Sequence, residues 1–151
     1  MEGGYADQAQ PAIILLVEDD PGDQKLVRYA LQFQKHQSNL KVVGTAEEAL
    51  DYLRRSEDGD ETAPRPDIIL LDLNMPGMGG KRFLQSIKAD EKLCAIPVVV
   101  VSTSGAEQDI TESYKLQAAG YVQKSSSLDT LRRIIQKLTQ YWFATSSLVK
   151  R

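Results

Sequence analysis

The sequence predicts a doubly wound α/β fold, in which helices cover both faces of a five-stranded parallel sheet. Strand and helix patterns alternate along the chain, as they do when parallel strands are joined by right-handed helical crossovers. Three strand patterns, at residues 12–17, 68–71 and 97–101, are short apolar runs typical of strands buried on both faces. Acidic or hydroxyl-bearing residues follow each run, at the edge where such sheets place their ligand sites.

The composition indicates one globular domain and excludes several classes of function. The 151 residues are 42% hydrophobic and carry a net charge of −3, which argues against a nucleic-acid-binding surface. No apolar run approaches the roughly 18 residues that a membrane span needs. Cys94 is the single cysteine, so no disulfide framework is expected. We expect a cytoplasmic protein with a flexible leader at residues 1–10, one domain at residues 11–144 and a tail at residues 145–151.

The first strand pattern, at residues 12–17, ends in three acidic residues at positions 18–20. Asp20 is a suitable N-cap and Pro21 a suitable first helical residue, so a helix should follow at once. Asp23 falls in the first turn of that helix, where a negative charge is favoured.

The second strand pattern, at residues 40–43, is short and of mixed polarity, which suits an edge of the sheet. Thr45 and Glu48 form a capping box that opens the second helix. Residues 56–66 are acidic and contain glycine and proline, which predicts a long exposed loop with solvated carboxylates.

The second half of the chain repeats the alternation. Helices are predicted at residues 80–89 and 107–118, on either side of the apolar strand at 97–101. Gly120 is expected to be the C′ residue of the second of these helices. A short final strand should occupy residues 120–124. The three strongly apolar strands must be central, so the strand order 2-1-3-4-5 of a flavodoxin-like fold is expected.

That strand order brings acidic side chains together at the carboxyl edge of the sheet. Glu18 and Asp19 follow the first strand, and Asp72 follows the third. At about 4 Å and an effective dielectric near 20, each like-charged pair repels by roughly 4 kcal/mol, so the cluster must bind protons or hold a cation. Oxygen ligands without histidine or cysteine favour Mg²⁺, and the carbonyl of Asn74 can supply a further ligand.

Two more polar residues end strands at the same edge. Ser102 ends the fourth strand and Lys124 the fifth. Taken singly, Lys124 could be an ordinary surface lysine and Ser102 a satisfied strand-end hydroxyl. Together with a divalent cation they make a phosphoryl site, in which Asp72 attacks in line while the cation, the ammonium and the hydroxyl stabilise the phosphoryl oxygens.

The sequence resembles the receiver domain of the two-component response-regulator family over about residues 12–143. The resemblance is carried, in order along the chain, by the acidic pair Glu18-Asp19, the motif Asp72-Leu-Asn-Met-Pro-Gly77, Ser102 and Lys124. It implies Mg²⁺-dependent transfer of a phosphoryl group from a phosphohistidine of a sensor histidine kinase onto Asp72. Asp19 would bind the metal directly and Glu18 through water, and Tyr121 stands at the switch aromatic of the family.

The resemblance also implies a signalling protein, which catalyses only its own phosphotransfer and slow dephosphorylation and is not otherwise an enzyme. The acidic loop, the run Ser102-Thr103-Ser104 and Trp142 are similar to the small stand-alone regulators that partner cyanobacterial bacteriophytochromes, so a phytochrome-type kinase is an expected partner. One departure is Ser125, which stands where the family usually has proline.

Two other functions compete with this interpretation. A Mg²⁺-dependent phosphatase of the haloacid-dehalogenase type also uses a strand-end aspartate, but its D-x-D pattern would need an aspartate where Asn74 stands. A nucleotide or flavin binder would need a glycine-rich fingerprint after the first strand, and none is present.

The last helix is predicted to begin at Ser126 and to support a homodimer. Its core-facing residues recur at helical spacing: Leu128, Leu131, Ile135, Leu138 and Trp142. Ile134, Tyr141 and Phe143 fall outside that stripe, and apolar residues outside a core usually mark an interaction surface. We therefore expect self-association through the last helix and the adjoining strand 5 face, with an unknown downstream protein as a further partner.

Overall fold

The computed structural model describes residues 11–32, 38–124 and 127–145 of the chain. The strands are β1 (Ala12–Val17), β2 (Ser38–Val43), β3 (Ile68–Leu71), β4 (Val98–Ser102) and β5 (Gly120–Gln123). The helices are α1 (Pro21–Gln32), α2 (Ala46–Glu57), α3 (Gly80–Ala89), α4 (Glu107–Lys115) and α5 (Leu128–Gln140), and α5 continues into a π-helical turn (Tyr141–Thr145). The predicted leader and the tail beyond residue 145 lie outside the described residues.

All strand pairs are parallel and the order is β2-β1-β3-β4-β5, which confirms the predicted flavodoxin-like fold. The register aligns Val17 of β1 with Leu71 of β3, and Leu71 with Val100 of β4. The residues that follow β1 and β3 therefore leave the sheet side by side at the same edge.

Helices on the two faces of the sheet enclose two apolar cores. Leu15 and Ile69 point to the face covered by α2 and α3, where Phe83 of α3 is fully buried. Ile14 and Leu70 point to the other face, which is covered by α1 and α5. β1, β3 and β4 are buried on both faces, and this explains why their apolar residues form continuous runs.

The predicted N-caps of α1 and α2 are present. The Asp20 carboxylate accepts a hydrogen bond from the Asp23 N–H at 2.9 Å, and the Thr45 hydroxyl accepts one from the Glu48 N–H at 3.0 Å. These bonds satisfy N–H groups that have no partner within the helix, so each helix starts immediately after the preceding strand or turn.

Two predicted helix ends are wrong. The fourth helix ends at Lys115, and Gln117 adopts the left-handed conformation (φ 73°) that had been expected at Gly120. The early reversal places Ala118 against the core and lets the Ala119 N–H donate to the Val98 carbonyl, so tertiary contacts outweigh the preference for glycine. The fifth helix has Ser127 as its N-cap, one residue after the predicted start at Ser126.

The loop at residues 56–66 is less exposed than predicted. Its first two residues end α2, and Ala63 is completely buried against the core that contains Leu53. The Tyr52 hydroxyl donates to the Pro64 carbonyl at 2.7 Å. The loop is therefore anchored to its domain, although most of its carboxylates are exposed as expected.

The inward face of α5 also differs from the prediction. Leu131 and Ile135 are buried as expected, but Leu128 is 44% exposed and Thr139 lies buried in the same stripe. The Thr139 hydroxyl donates to the Ile135 carbonyl of its own helix, which makes a polar residue tolerable at this position.

Candidate functional site

The carboxyl edge of the sheet forms an acidic pocket. Glu18 and Asp72 follow β1 and β3 directly, and their exposed fractions are 2% and 6%. Backbone hydrogen bonds fix both positions, because the Glu18 N–H donates to Val43 and the Asp72 N–H to Val17, each at 3.0 Å. Carboxylate oxygens of Glu18, Asp19 and Asp72 all lie within 4.8 Å of one another, which is close enough to share one cation.

Lys124 enters this pocket from the end of β5. Its backbone N–H donates to the Ser102 carbonyl at 2.7 Å, which sets the direction of its side chain. The ammonium forms hydrogen bonds with Glu18 and, at 2.8 Å, with Asp23, and it lies 3.9 Å from Asp72 Oδ1. The lysine side chain is only 9% exposed, so these interactions are poorly screened by solvent.

The pocket holds more negative than positive charge. The carboxylates of Glu18, Asp23 and Asp72 lie within 4 Å of the Lys124 ammonium, and Asp19 adds a fourth carboxylate beside Glu18 and Asp72. Burial raises the pKa of Glu18 to about 7, with a smaller contribution from the Asp72 charge, even though Lys124 opposes the shift. Burial lowers the pKa of Lys124, but its hydrogen bonds to Asp23 and Glu18 together outweigh burial and leave the pKa raised. The donor set therefore fits a hard divalent cation bound by oxygen ligands.

Ser102 and Tyr121 lie beside this pocket and are linked through Ser104. Ser102 is completely buried at the end of β4, and its hydroxyl accepts a hydrogen bond from the Ser104 N–H at 3.2 Å. The Tyr121 ring packs against the core, and its hydroxyl donates to the Ser104 carbonyl at 2.8 Å. Asn74 is exposed in the loop after Asp72, and its N–H lies 3.4 Å from Asp72 Oδ1.

The family model of the response regulator receiver domain matches residues 14–136, which is most of the chain. The chain belongs to this family. The receiver domain is the signalling module of two-component systems, and this one has the same five-stranded fold as its relatives of known structure.

Several relatives resemble this receiver domain over almost its whole length. Response regulator Rcp1 of Synechocystis is 37% identical over 91% of this chain and 93% of its own. The probable methanogenesis regulatory protein FilR2 of Methanothrix harundinacea is 35% identical over 93% of this chain and 89% of its own.

Solved structures of response regulators also resemble this chain over almost its whole length. The phosphorylated cyanobacterial phytochrome response regulator RcpA superimposes with a TM-score of 0.86, is 40% identical, and the match covers 93% of this chain and 100% of RcpA. The Mn²⁺-bound form of Rcp1 superimposes with a TM-score of 0.84 at 36% identity, covering 93% of this chain and 100% of Rcp1. This receiver domain is therefore similar to the small phytochrome response regulators. In the described part of the chain, no helix is long and apolar enough to cross a membrane.

The structure adds Asp23 to the predicted site of this receiver domain. The sequence predicts for Asp23 only a place in the first turn of α1, whereas its carboxylate accepts a hydrogen bond from the Lys124 ammonium at 2.8 Å. A sequence signal existed, because a first-turn residue of a helix that starts directly after a strand lies close to that strand's end. The stabilising role that acidic residues have at any helix N-terminus concealed it.

Proposed function

We propose that this chain is a stand-alone response regulator whose receiver domain, at residues 11–144, accepts a phosphoryl group on Asp72 from a sensor histidine kinase. The single observation that carries the proposal is the position of Asp72, a nearly buried carboxylate beside both an acidic pair and the Lys124 ammonium. A carboxylate in such a pocket is a suitable nucleophile only when positive charge balances the incoming phosphoryl oxygens.

Each residue of the pocket has a distinct role in this proposal. An Asp72 oxygen attacks phosphorus in line, forming the acyl-phosphate P–O bond as the P–N bond to the donor histidine breaks. Lys124 lies 3.9 Å from Asp72 and exchanges its contacts with Glu18 and Asp23 for the phosphoryl oxygens. The Ser102 hydroxyl donates to another of these oxygens, since a phosphoryl group brings about −1.5 to −2 charge and three acceptors.

Mg²⁺ is the proposed cofactor. Asp19 and Asp72 would hold the metal directly together with the carbonyl of Asn74, and Glu18 would hold it through water. The excess of carboxylates over ammonium and the raised pKa of Glu18 support a cation at this position. When bound, the cation neutralises charge that develops on the phosphoryl oxygens. The Mn²⁺-bound form of the relative Rcp1 supports a divalent metal in general.

A phytochrome-type histidine kinase is the proposed donor. The support is the similarity to RcpA and Rcp1, the first of which is described as a cyanobacterial phytochrome response regulator. Signalling would then pass through a protein-interaction surface that changes when Ser102 is drawn to the phosphoryl group and Tyr121 follows. Both residues meet at Ser104, which gives this coupling a physical route.

Labelling with acetyl phosphate tests the phosphoryl site. Wild-type protein with Mg²⁺ should gain one phosphoryl group, detected by intact mass, and should gain none in EDTA. Asp72→Asn and Asp19→Asn should abolish labelling, because they remove the nucleophile and a direct metal ligand. Glu18→Gln should only slow it. Ser102→Ala should still be labelled but show smaller phosphorylation-induced amide shifts near Tyr121.

The matched control is Asp51→Asn, which removes a carboxylate that pairs with Arg55 on the surface of α2. This variant should be labelled like wild type. Labelling of Asp72→Asn to completion would contradict the assignment of the nucleophile. Continued turnover of a generic phosphomonoester by wild type would instead support the alternative function, a haloacid-dehalogenase-type phosphatase.

A homodimer through α5 and the adjoining β5 face remains part of the proposal. Tyr141 is 54% exposed and stacks edge-on against Trp142, and Ile134 is half-buried on the outer side of α5. Phe143, in contrast, packs against its own domain. Apolar side chains that remain exposed on an element of this kind are available to a symmetric partner.

Light scattering of the full chain tests the dimer. Wild-type protein should have a dimeric mass at concentrations of tens of micromolar, and Tyr141→Glu or Ile134→Glu should lower it, because a charge would be buried in the interface. Tyr114→Glu is the control, because Tyr114 is equally exposed but lies on α4 outside the proposed surface. A monomeric mass for wild type, both with and without acetyl phosphate, would rule the dimer out.

A further inference from the structure

Helix α4 is attached to the domain by much less apolar contact than its neighbours. Ser113 is the one buried residue of α4, and its hydroxyl donates to the Asp109 carbonyl of the same helix. Helix α3, by comparison, buries Phe83, Leu84 and Ile87 in the core. Burial of apolar area is the main interaction that holds helices against a sheet. Because α4 buries so little apolar area, a different interaction must hold it in place.

That attachment is an ion-pair cluster between the first turn of α3 and the outer side of α4. The Lys81 ammonium lies 2.7 Å from Asp109 Oδ1 and is also hydrogen-bonded to Glu112 Oε2. Gln108 donates to the other oxygen of Glu112 at 3.1 Å, which orients that carboxylate. The hydrogen bonds to Asp109 and Glu112 raise the pKa of Lys81, and the same contacts lower the pKa of both acids, so all three stay charged at neutral pH.

The cluster is also connected to the phosphoryl site through Ser104. The Ser104 hydroxyl donates to Asp109 Oδ2 at 2.6 Å, so Asp109 is held from two sides, by Lys81 and by Ser104. The Ser104 N–H donates to the Ser102 hydroxyl, and its carbonyl accepts from Tyr121. Ser104 is therefore hydrogen-bonded to Ser102, Tyr121 and Asp109.

We propose that Lys81 is an electrostatic tether that holds α4 against α3, and that Ser104 weakens this tether when the phosphoryl site is occupied. The second half of the proposal rests on the proposed function, whereas the first half concerns the unphosphorylated protein alone. When Ser102 turns toward a phosphoryl group, the Ser104 N–H loses its acceptor. A rearranged Ser104 then withdraws its hydroxyl from Asp109, and Lys81 alone retains the helix.

The exposure of the cluster makes the tether adjustable. The side chains of Lys81, Asp109 and Glu112 are 34%, 28% and 40% exposed, so salt screens their attraction. An attachment of this kind can be loosened without exposing the core, which suits an element that must move while the sheet stays intact. Phosphorylation would thus present a more mobile α4 to a partner protein.

Amide hydrogen exchange of the full, unphosphorylated chain tests the tether. Lys81→Met keeps the apolar stem of the side chain and removes the charge, so exchange in α4 should become about fivefold faster or more while β1 and β3 keep wild-type rates. Lys81→Arg should restore slow exchange, because it retains the charge. Raising the salt concentration should accelerate exchange in wild-type α4 and have little effect on α4 in Lys81→Met.

The control is Arg55→Met, which breaks another partly exposed ion-pair cluster, with Asp51 and Asp60, far along the chain from α4. It should leave exchange in α4 unchanged. Equal exchange of α4 in wild type and Lys81→Met would overturn the tether, as would wild-type exchange that does not respond to salt. Salt dependence is read on the wild-type chain, so the proposal stays testable even if a variant folds poorly.

Phosphorylation with acetyl phosphate and Mg²⁺ tests the role of Ser104. Exchange in wild-type α4 should rise toward the level of unphosphorylated Lys81→Met, and Ser104→Ala should show that faster exchange before phosphorylation. Slow exchange of α4 in a chain that is demonstrably labelled would overturn the link to Ser104. Absence of labelling in wild type would instead overturn the proposed function, and the salt and Lys81→Met results would still decide the tether.

Discussion

Replacing Lys124 with methionine should destabilise the metal-free protein by about 2–4 kcal/mol. The substitution leaves Glu18 and Asp72, both nearly buried, without the ammonium that compensates them, and breaking a buried ion pair from one side typically costs about 3–5 kcal/mol. The expected loss is somewhat smaller, because Glu18 already has a pKa of about 7 and can relieve part of the repulsion by binding a proton. Urea unfolding in EDTA measures this loss.

The same variant should gain more stability from Mg²⁺ than wild type does. A ligand that binds only the folded state stabilises it by an amount that rises with the logarithm of its affinity, and a pocket with four carboxylates and no ammonium should attract a cation more strongly. Labelling of Asp72 should nevertheless become at least about tenfold slower, since in the proposed mechanism the Lys124 charge stabilises the phosphoryl oxygens during transfer. The control is Lys137→Met on the exposed side of α5. If Lys124→Met and wild type had the same urea unfolding midpoint in EDTA, the prediction would be contradicted.

The parts of the fold that follow from local pattern were predicted correctly. The apolar runs of β1, β3 and β4 identified central strands, because only strands covered on both faces lack polar positions. Once the parallel order was fixed, the sheet itself brought Glu18, Asp72 and Lys124 to one edge. The candidate site was therefore accessible from the sequence, because its residues lie at strand ends.

The features that the sequence did not disclose depend on contacts between distant segments. Asp23 has a sufficient local role as a first-turn residue, and this role concealed the sequence signal for its ion pair with Lys124. Gln117 adopts a positive φ because the following residues must reach the core and β4, although Gly120 was the better local candidate. The cluster around Lys81 joins residues 28 and 31 positions apart, and such pairings have no sequence pattern of their own.

Replacing Gly80 with alanine should destabilise the protein by about 2–3 kcal/mol, although alanine is the better helix former by about 1 kcal/mol. A Cβ at this first residue of α3 would lie 2.5 Å from the Asp72 carbonyl oxygen and 2.7 Å from the Leu73 Cα. Both are backbone atoms, which cannot rotate away as a side chain can. The clash must therefore move either α3 or the segment that carries Asp72.

The displacement should also affect the chemistry of the site, because the Gly80 N–H donates to the carbonyl of Leu73, the residue directly after Asp72, the proposed phosphoacceptor. We expect Gly80→Ala to be labelled on Asp72 at a reduced rate even at temperatures where it remains folded, since a shift of the nucleophile by a fraction of an ångström disturbs in-line attack. Gly44→Ala is the matched control, because a Cβ there meets no atom within 4 Å. Urea unfolding and acetyl phosphate labelling of both variants measure the two effects. If Gly80→Ala were as stable as wild type, α3 could move away from Asp72 at no cost in free energy. The close approach of Gly80 to the Asp72 and Leu73 backbone would then not contribute to stability.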